Sequence, residues 1–370
     1  MHYLYRLSIL ALTLFSGACG FSDGFSDSSQ NATASSTDSQ QTQAPQSAPD
    51  SNGNSDQEII AEENIAVQNT IPTPAGSNTN ADAATFELSA NGILGFSDLT
   101  EASGLAASRN LPDRLWVIAD SGNSPELFSL TEDGSEVGRV ALTATNRDWE
   151  DLATFTFNGQ NYLLVADTGD NLRQFSSYPL HIIPEPNEPS GGPLRPLVTL
   201  SLTYEDGAHD VEALAVAEAD GNLYLITKDE TPGVYSAPLF ASLTTISNAT
   251  ALLPQTRPLP LLASRVGDLQ PRAQTATDSI LGMLAGVDLS SVTAMDIDDA
   301  RGRAWLLTYR GIYMVQADGN NTWGQILTSP LTLITRHSLG QAEALAYSGF
   351  QQAVFVTSEG RASPILKLAP

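Results

Sequence analysis

Three glutamates recur in one sequence context: Glu150 in EDLATF, Glu212 in EALAVA and Glu343 in EALAYS. Ser103 in SGLAAS and Thr293 in TAMDID occupy the same place in related stretches. Downstream of each lies a second apolar run ending on a polar residue, at Asp120, Asp167, Lys228, Tyr309 and Ser358. Around those ends sit further oxygen donors: Asp120, Asp167, Asp170, Asn171, Asp229 and Glu359. Carboxylates that converge repel one another unless one keeps a proton, a basic side chain lies close, or a cation sits among them. Hard oxygen donors without His or Cys suit Ca2+ or Mg2+ rather than Zn2+. The expected metal set is therefore Glu150, Glu212 and Glu343, with Asp167, Asp170 and Asn171 at the rim. Two other readings stay open for the glutamates: pegs bonded to backbone N–H groups of neighbouring repeats, or a catalytic group.

Other chemistry is thinner. His209, three residues before Glu212 in AHDVEALA, is the candidate general base if there is one. The DTGDN loop (Asp167 to Asn171) could chelate a cation or cap a tight turn through side-chain to backbone bonds. DIDDARG (Asp296 to Gly302) lacks the sixth-position Gly and twelfth-position Glu of a calcium loop, and reads as a hairpin. No G-x-S-x-G, Walker loop or G-x-G-x-x-G is present, which weakens serine-hydrolase and nucleotide readings.

The elements that must position these residues follow from the spacing. The paired landmarks are 17, 17, 16, 16 and 15 residues apart. From Ala84 onward short apolar runs alternate with turn signals such as EDGS, FNGQN and ADGN, the pattern of β-strands. A third run follows each pair: ELFSL, YPLHII, GVYSA, GIYMV and PILKL. Fourth strands are expected at EVGRVAL, LVTLSLTY, TALLPQ and GQILTS, and the last repeat ends at Pro370 without one. ATFELSA or NGILGF, near the start of the domain, can supply it. Repeated four-stranded units with the last completed by the N-terminal strand describe an all-β fold, a β-propeller of five four-stranded blades. Six is the alternative, because the interval from Glu212 to Thr293 is 81 residues against 47 to 62 elsewhere. In a propeller the first strand of each blade lines the axis, and strand alternation would aim the landmark residues at it.

The succession ASGLAAS, LWVIADSGN, DWEDLA, DTGDN, HDVEALAV, TKDE, GVYSA, QAEALAYS and TSEG resembles a family of secreted bacterial propellers, mostly uncharacterised. That family is distantly similar to phytase-like esterase, strictosidine-synthase-like and gluconolactonase-type propellers. The resemblance covers about residues 95 to 370 and implies the fold, not a reaction.

Residues 1–18 read as an export signal: Arg6, the apolar run LSILALTLF, then small residues, too short for a permanent span. The following Cys19, the sole cysteine, resembles the acceptor of a bacterial lipobox; Gly17 and Ala18 fit, and Ser16 departs from the usual aliphatic residue. An ordinary secretory signal with an incidental cysteine is the other reading; Gly20 is not the Asp of inner-membrane retention, so in a diderm host the expected location is the cell envelope, lipid-anchored at the outer membrane. Residues 19–83 form a Ser/Asn/Gln/Asp-rich tether with nine acids and no Lys or Arg, too polar to fold alone. Of the formal charge of -25, removing Arg6 and those nine acids leaves about -17 on residues 84–370, the propeller domain. That disfavours nucleic acid and anionic lipid surfaces as partners. The expectation is a monomeric lipoprotein whose propeller binds a ligand or envelope protein. The alternative is a cation-dependent hydrolase (lactonase, esterase or phosphoesterase) working at the channel mouth with Ca2+ or Mg2+.

Overall fold

The apolar runs form strands because each turn between them carries residues able to reverse the chain. Asn158 and Gly159, both at positive φ (50° and 76°), make the two-residue reversal that pairs Phe157 with Gln160. A computed structural model describes residues 85–370 apart from 230, 249, 271, 273, 274, 286, 287 and 320, and apart from the side chain of 285. The export signal, Cys19 and the tether lie outside the described residues.

β1 (Glu87–Ile93) precedes a group of four: β2 (Ala102–Ala107), β3 (Leu115–Ala119), β4 (Glu126–Leu130) and β5 (Glu136–Ala141). The next group is β6 (Trp149–Phe157), β7 (Gln160–Asp167), β8 (Tyr178–Pro184) and β9 (Val198–Tyr204). Then come β10 (Val211–Ala217), β11 (Asn222–Thr227), β12 (Gly233–Ala237), the short helix α1 (Leu239–Thr244) and β13 (Leu259–Asp268). Helix α2 (Ala276–Ala285) leads to β14 (Val292–Asp298), β15 (Arg303–Thr308), β16 (Gly311–Gln316), helix α3 (Trp323–Leu327) and β17 (Thr332–Arg336). β18 (Ala342–Ser348), β19 (Ala353–Ser358) and β20 (Pro364–Ala369) end the chain, and β1 pairs antiparallel with β20 from Glu87–Ala369 to Ile93–Pro364.

The first strands β2, β6, β10, β14 and β18 pack side by side in a closed ring, β18 returning to β2. They are buried on both faces, which is why they read as continuous runs of Ala, Leu and Val rather than alternating ones. Five apolar clusters fill the gaps between successive groups. One joins Trp116 and Ile118 to Trp149 and Leu163; another joins Phe355 and Ile365 to Leu105 and Phe128. The chain is a β-propeller closed by its N-terminal strand.

Sheet pairing gives three separate four-stranded sheets and one of eight strands. β13 joins the last: its first half pairs in parallel with β9, from Leu259–Leu200 to Ala263–Tyr204, and its second half pairs antiparallel with β12. The pairing covers two outer edges that would otherwise present free backbone groups. Among its described residues the interval from 240 to 290 thus holds helical turns and β13 rather than a further four-stranded group.

Two expected fourth strands are corrected. TALLPQ is a turn, where the Asn248 side chain accepts from the Thr250 and Ala251 N–H groups, and β13 takes the edge. GQILTS falls in and after α3, because Thr322 and Gln325 close a capping box, and β17 follows as the edge strand. Among the described residues no helix is long and apolar enough to cross a membrane.

Candidate metal centre

The landmark residues share a backbone feature that simple alternation does not contain. In every inner strand the register slips by one at that position: Ala102/Gly104, Trp149/Asp151, Val211/Ala213, Val292/Ala294 and Ala342/Ala344. Ser103, Glu150, Glu212, Thr293 and Glu343 are therefore the extra residues of five β-bulges. A bulge leaves its residue outside the ladder and re-aims the side chain.

At two bulges the side chain ties the ring together. Ser103 Oγ donates to Trp149 O at 2.6 Å, and Thr293 Oγ1 donates to Ala342 O at 2.6 Å. The glutamates do not repeat this contact. The peg role among carboxylates falls instead on Asp151, one residue past its bulge, and on Asp296, three past its own. Asp151 Oδ2 accepts from Leu214 N, and Asp296 Oδ2 from Tyr347 N, each at 2.8 Å.

Glu150 stands with two other acids. Asp120, just past β3, Asp148, just before β6, and Glu150 each offer a carboxylate oxygen, all within 4.8 Å of one another. Two oxygens bound at 2.3–2.6 Å to one Ca2+ lie at most about 5 Å apart, so these three are within reach of a single ion as they stand. Glu150 is 9% exposed, and no hydrogen bond reaches it among the described residues. Gly169 makes room for the cluster: a methyl group there would overlap Asp148 Oδ2 and Glu150 Oε1. Burial, then the Asp120 and Asp148 charges, holds the Glu150 carboxyl well above the usual range. Burial, with Asp148 and Glu343 nearby, pushes Asp120 up to about 7.

Glu343 lies on the same rim, accepting from Tyr309 OH at 2.9 Å. Burial and the Glu343 charge push its neighbour Glu359 up to about 9. Glu212 is separated from the triad by a counter-charge, its Oε1 paired with Lys228 Nζ while its Oε2 is buried without a hydrogen bond.

The expected rim residues have other tasks. Asp167, fully buried, accepts from Asp148 N at 3.0 Å and Arg147 N at 3.3 Å, so it orients the strand entry that carries Asp148. Asp170 accepts from Gln174 N, Phe175 N and Tyr178 OH, each at 2.9 Å, capping its own loop. Asn171 is exposed on that loop. His209 sits apart from the triad: Nε2 lies 2.9 Å from Asp206 Oδ1 and 3.0 Å from Tyr235 OH, and the Tyr204 ring stands edge-on to the imidazole. DIDDARG forms the β14–β15 reversal, with Asp298 accepting from Arg301 N and Gly302 at φ 61°.

The sequence sets Glu150, Glu212 and Glu343 around one axis and offers Asp120 among the donors, but does not join Asp120 and Asp148 to Glu150. The available signal was the triplet of acids in DWED, whose outer member Asp148 is held in place by buried Asp167.

No family model matches the chain, and no curated protein matches it. Among solved structures, a PQQ-bound aldose sugar dehydrogenase from Streptomyces coelicolor is 12% identical, with 78% of this chain and 99% of that one covered and a TM-score of 0.38. A luciferin-regenerating enzyme is 7% identical over 75% of this chain and 95% of its own, with a TM-score of 0.37. A protein of unknown function from Bacteroides thetaiotaomicron is 10% identical over 77% and 76%, with a TM-score of 0.38.

Proposed function

We propose that the chain is a divalent-cation-binding propeller of the cell envelope, with Ca2+ held by Asp120, Asp148 and Glu150 at the axial mouth. The observation that carries this reading is Glu150, nine-tenths buried with no hydrogen bond, converging with two other carboxylates. Like charges held this close repel one another, and a bound cation removes the cost. The cation-loaded mouth serves to bind a ligand or an envelope partner. Titrating Ca2+ into the EDTA-treated full-length protein by calorimetry should give one site that Glu150→Gln removes. No binding heat, with no displacement of Tb3+, would overturn the reading.

A second reading, hydrolysis of a lactone, ester or phosphoester, is favoured by Glu359. Burial and the Glu343 charge push its carboxyl up to about 9, so that it could supply a proton to a leaving oxygen. Assay of such substrates with Ca2+ present tests it, and turnover that survives Glu359→Gln would count against that role.

The anchor at Cys19 and the outer-membrane location belong to the same proposal, supported by the lipobox-like SGAC stretch. Cys19→Ser should release the protein from membranes; retention of that variant would remove the anchor from the proposal.

A further inference from the structure

Lys228 is one of only two lysines in the chain, and the other, Lys367, lies over the Phe355 ring in the last group of strands. Lys228 follows β11 and is fixed by its own backbone, whose N–H donates to Asp210 O at 2.9 Å. Its ammonium pairs with Glu212 Oε1, while the second oxygen of that carboxylate stays buried without a donor. β10, which carries Glu212, neighbours β6, which carries Glu150, in the inner ring. Lys228 is also the basic group whose field reaches Glu150. Arg147, although adjacent in sequence to Asp148, is turned outward: its guanidinium stacks 3.8 Å over Phe175 and pairs with Asp167 at 3.4 Å.

We infer that Lys228 is the affinity-setting residue of the axial cation site: its ammonium holds Glu212 out of the ligand set and opposes the incoming divalent charge. The inference rests on the cation reading above and deepens it. Two effects act in the same direction. An ammonium held at the bulge of the inner strand next to that of Glu150 repels a dication at the triad through a medium of low effective dielectric. Pairing also neutralises the carboxylate at the equivalent bulge of the adjacent inner strand, and the anionic charge around a site is what tunes Ca2+ affinity. A site detuned in this way suits the about 10⁻⁴ to 10⁻³ M range of extracellular modules rather than that of a cytosolic buffer.

The test is calorimetric titration of Ca2+ into the full-length protein and three variants. Lys228→Met removes the charge. Lys228→Gln removes it too but leaves an N–H donor for Glu212, which protects folding. Lys228→Arg keeps the charge. Both neutral variants should bind Ca2+ about tenfold more tightly or better, and the Arg variant should stay within about threefold of wild type. Neutral variants that bind with wild-type or weaker affinity would overturn the assignment while leaving the cation site standing. Absence of binding in wild type and all variants would instead overturn the cation reading, and this inference with it.

Discussion

Glu150→Gln discriminates sharply between a ligand and a structural peg, because the two roles predict opposite signs. With no cation bound, Glu150 shares a space with Asp120 and Asp148 in which their oxygens lie within 4.8 Å. Two unit charges at about that distance repel by about 3.5 kcal/mol at an effective dielectric of 20. Wild type relieves part of this by keeping a proton on the buried carboxyl, so the net gain from neutralising Glu150 should be about 1–3 kcal/mol. For a domain of this size each kcal/mol moves Tm by about 2 °C. Glu150→Gln should therefore melt about 2–6 °C higher than wild type in EDTA at pH 8. Addition of Ca2+ at about one hundred times Kd should stabilise wild type by about 2.7 kcal/mol, or about 5 °C, and the variant hardly at all. The order of the two melting curves should thus close or reverse between EDTA and Ca2+. A variant that melts lower than wild type in EDTA would show that Glu150 holds the fold together, and an equal Ca2+ shift in both would show that it does not bind the ion.

Three further outcomes follow from neighbouring residues. Asp120, Glu150 and Glu359 all have folded-state pKa values above their unfolded ones, so the folded chain holds protons that the unfolded chain has released. In EDTA, stability should fall as pH rises from the unfolded carboxyl value near 4 through about 7 for Asp120 and on towards about 9 for Glu359, and Ca2+ should flatten the decline; melts that rise across that window in EDTA would contradict it. Gly169→Ala places a methyl group against Asp148 Oδ2 and Glu150 Oε1, and should weaken Ca2+ binding at least about tenfold while the fold persists by circular dichroism; unchanged affinity would mean that those oxygens are not ligands. Asp151→Ala leaves the buried Leu214 N–H without its acceptor and should cost about 1–3 kcal/mol, read as a Tm about 2–6 °C lower, whereas an unchanged Tm would exclude the peg role.

Why the repeat was readable and the ligand set was not has a physical answer. Each inner strand is buried on both faces by its neighbours, so its sequence is constrained wherever it recurs, and the pairing of each with its second strand fixes a near-constant separation of landmarks. Edge strands lack that constraint. The two misplaced fourth strands, at TALLPQ and GQILTS, sit at the periphery, where the Asn248 turn and the Thr322–Gln325 capping box decide the local structure. The capping box was visible as Thr-x-x-Gln before an apolar pair. The bulges were not visible, because an extra residue in one strand is defined only by its partner, and Asp120 meets Glu150 only because β3 packs against β6.

The bulges also bear on whether the acids serve the fold or a ligand. Every inner strand gives up one residue from its ladder at the same height. Ser103 and Thr293 return a hydrogen bond to the next strand from that position, so their bulges are compensated within the fold. Glu150, Glu212 and Glu343 return none to the neighbouring backbone: one is without a hydrogen bond, one is held by a lysine, and one is held by a tyrosine hydroxyl. A serine or threonine at these three positions would close the ring at lower electrostatic cost, as it does at the other two. The structural requirement is thus met by a hydroxyl, and the three carboxylates exceed it. What they add is negative charge concentrated at one end of the axis, which is useful only in the presence of something positive. Lys228 supplies that for Glu212, and the unmatched remainder, centred on Glu150, is the charge that a divalent cation would balance.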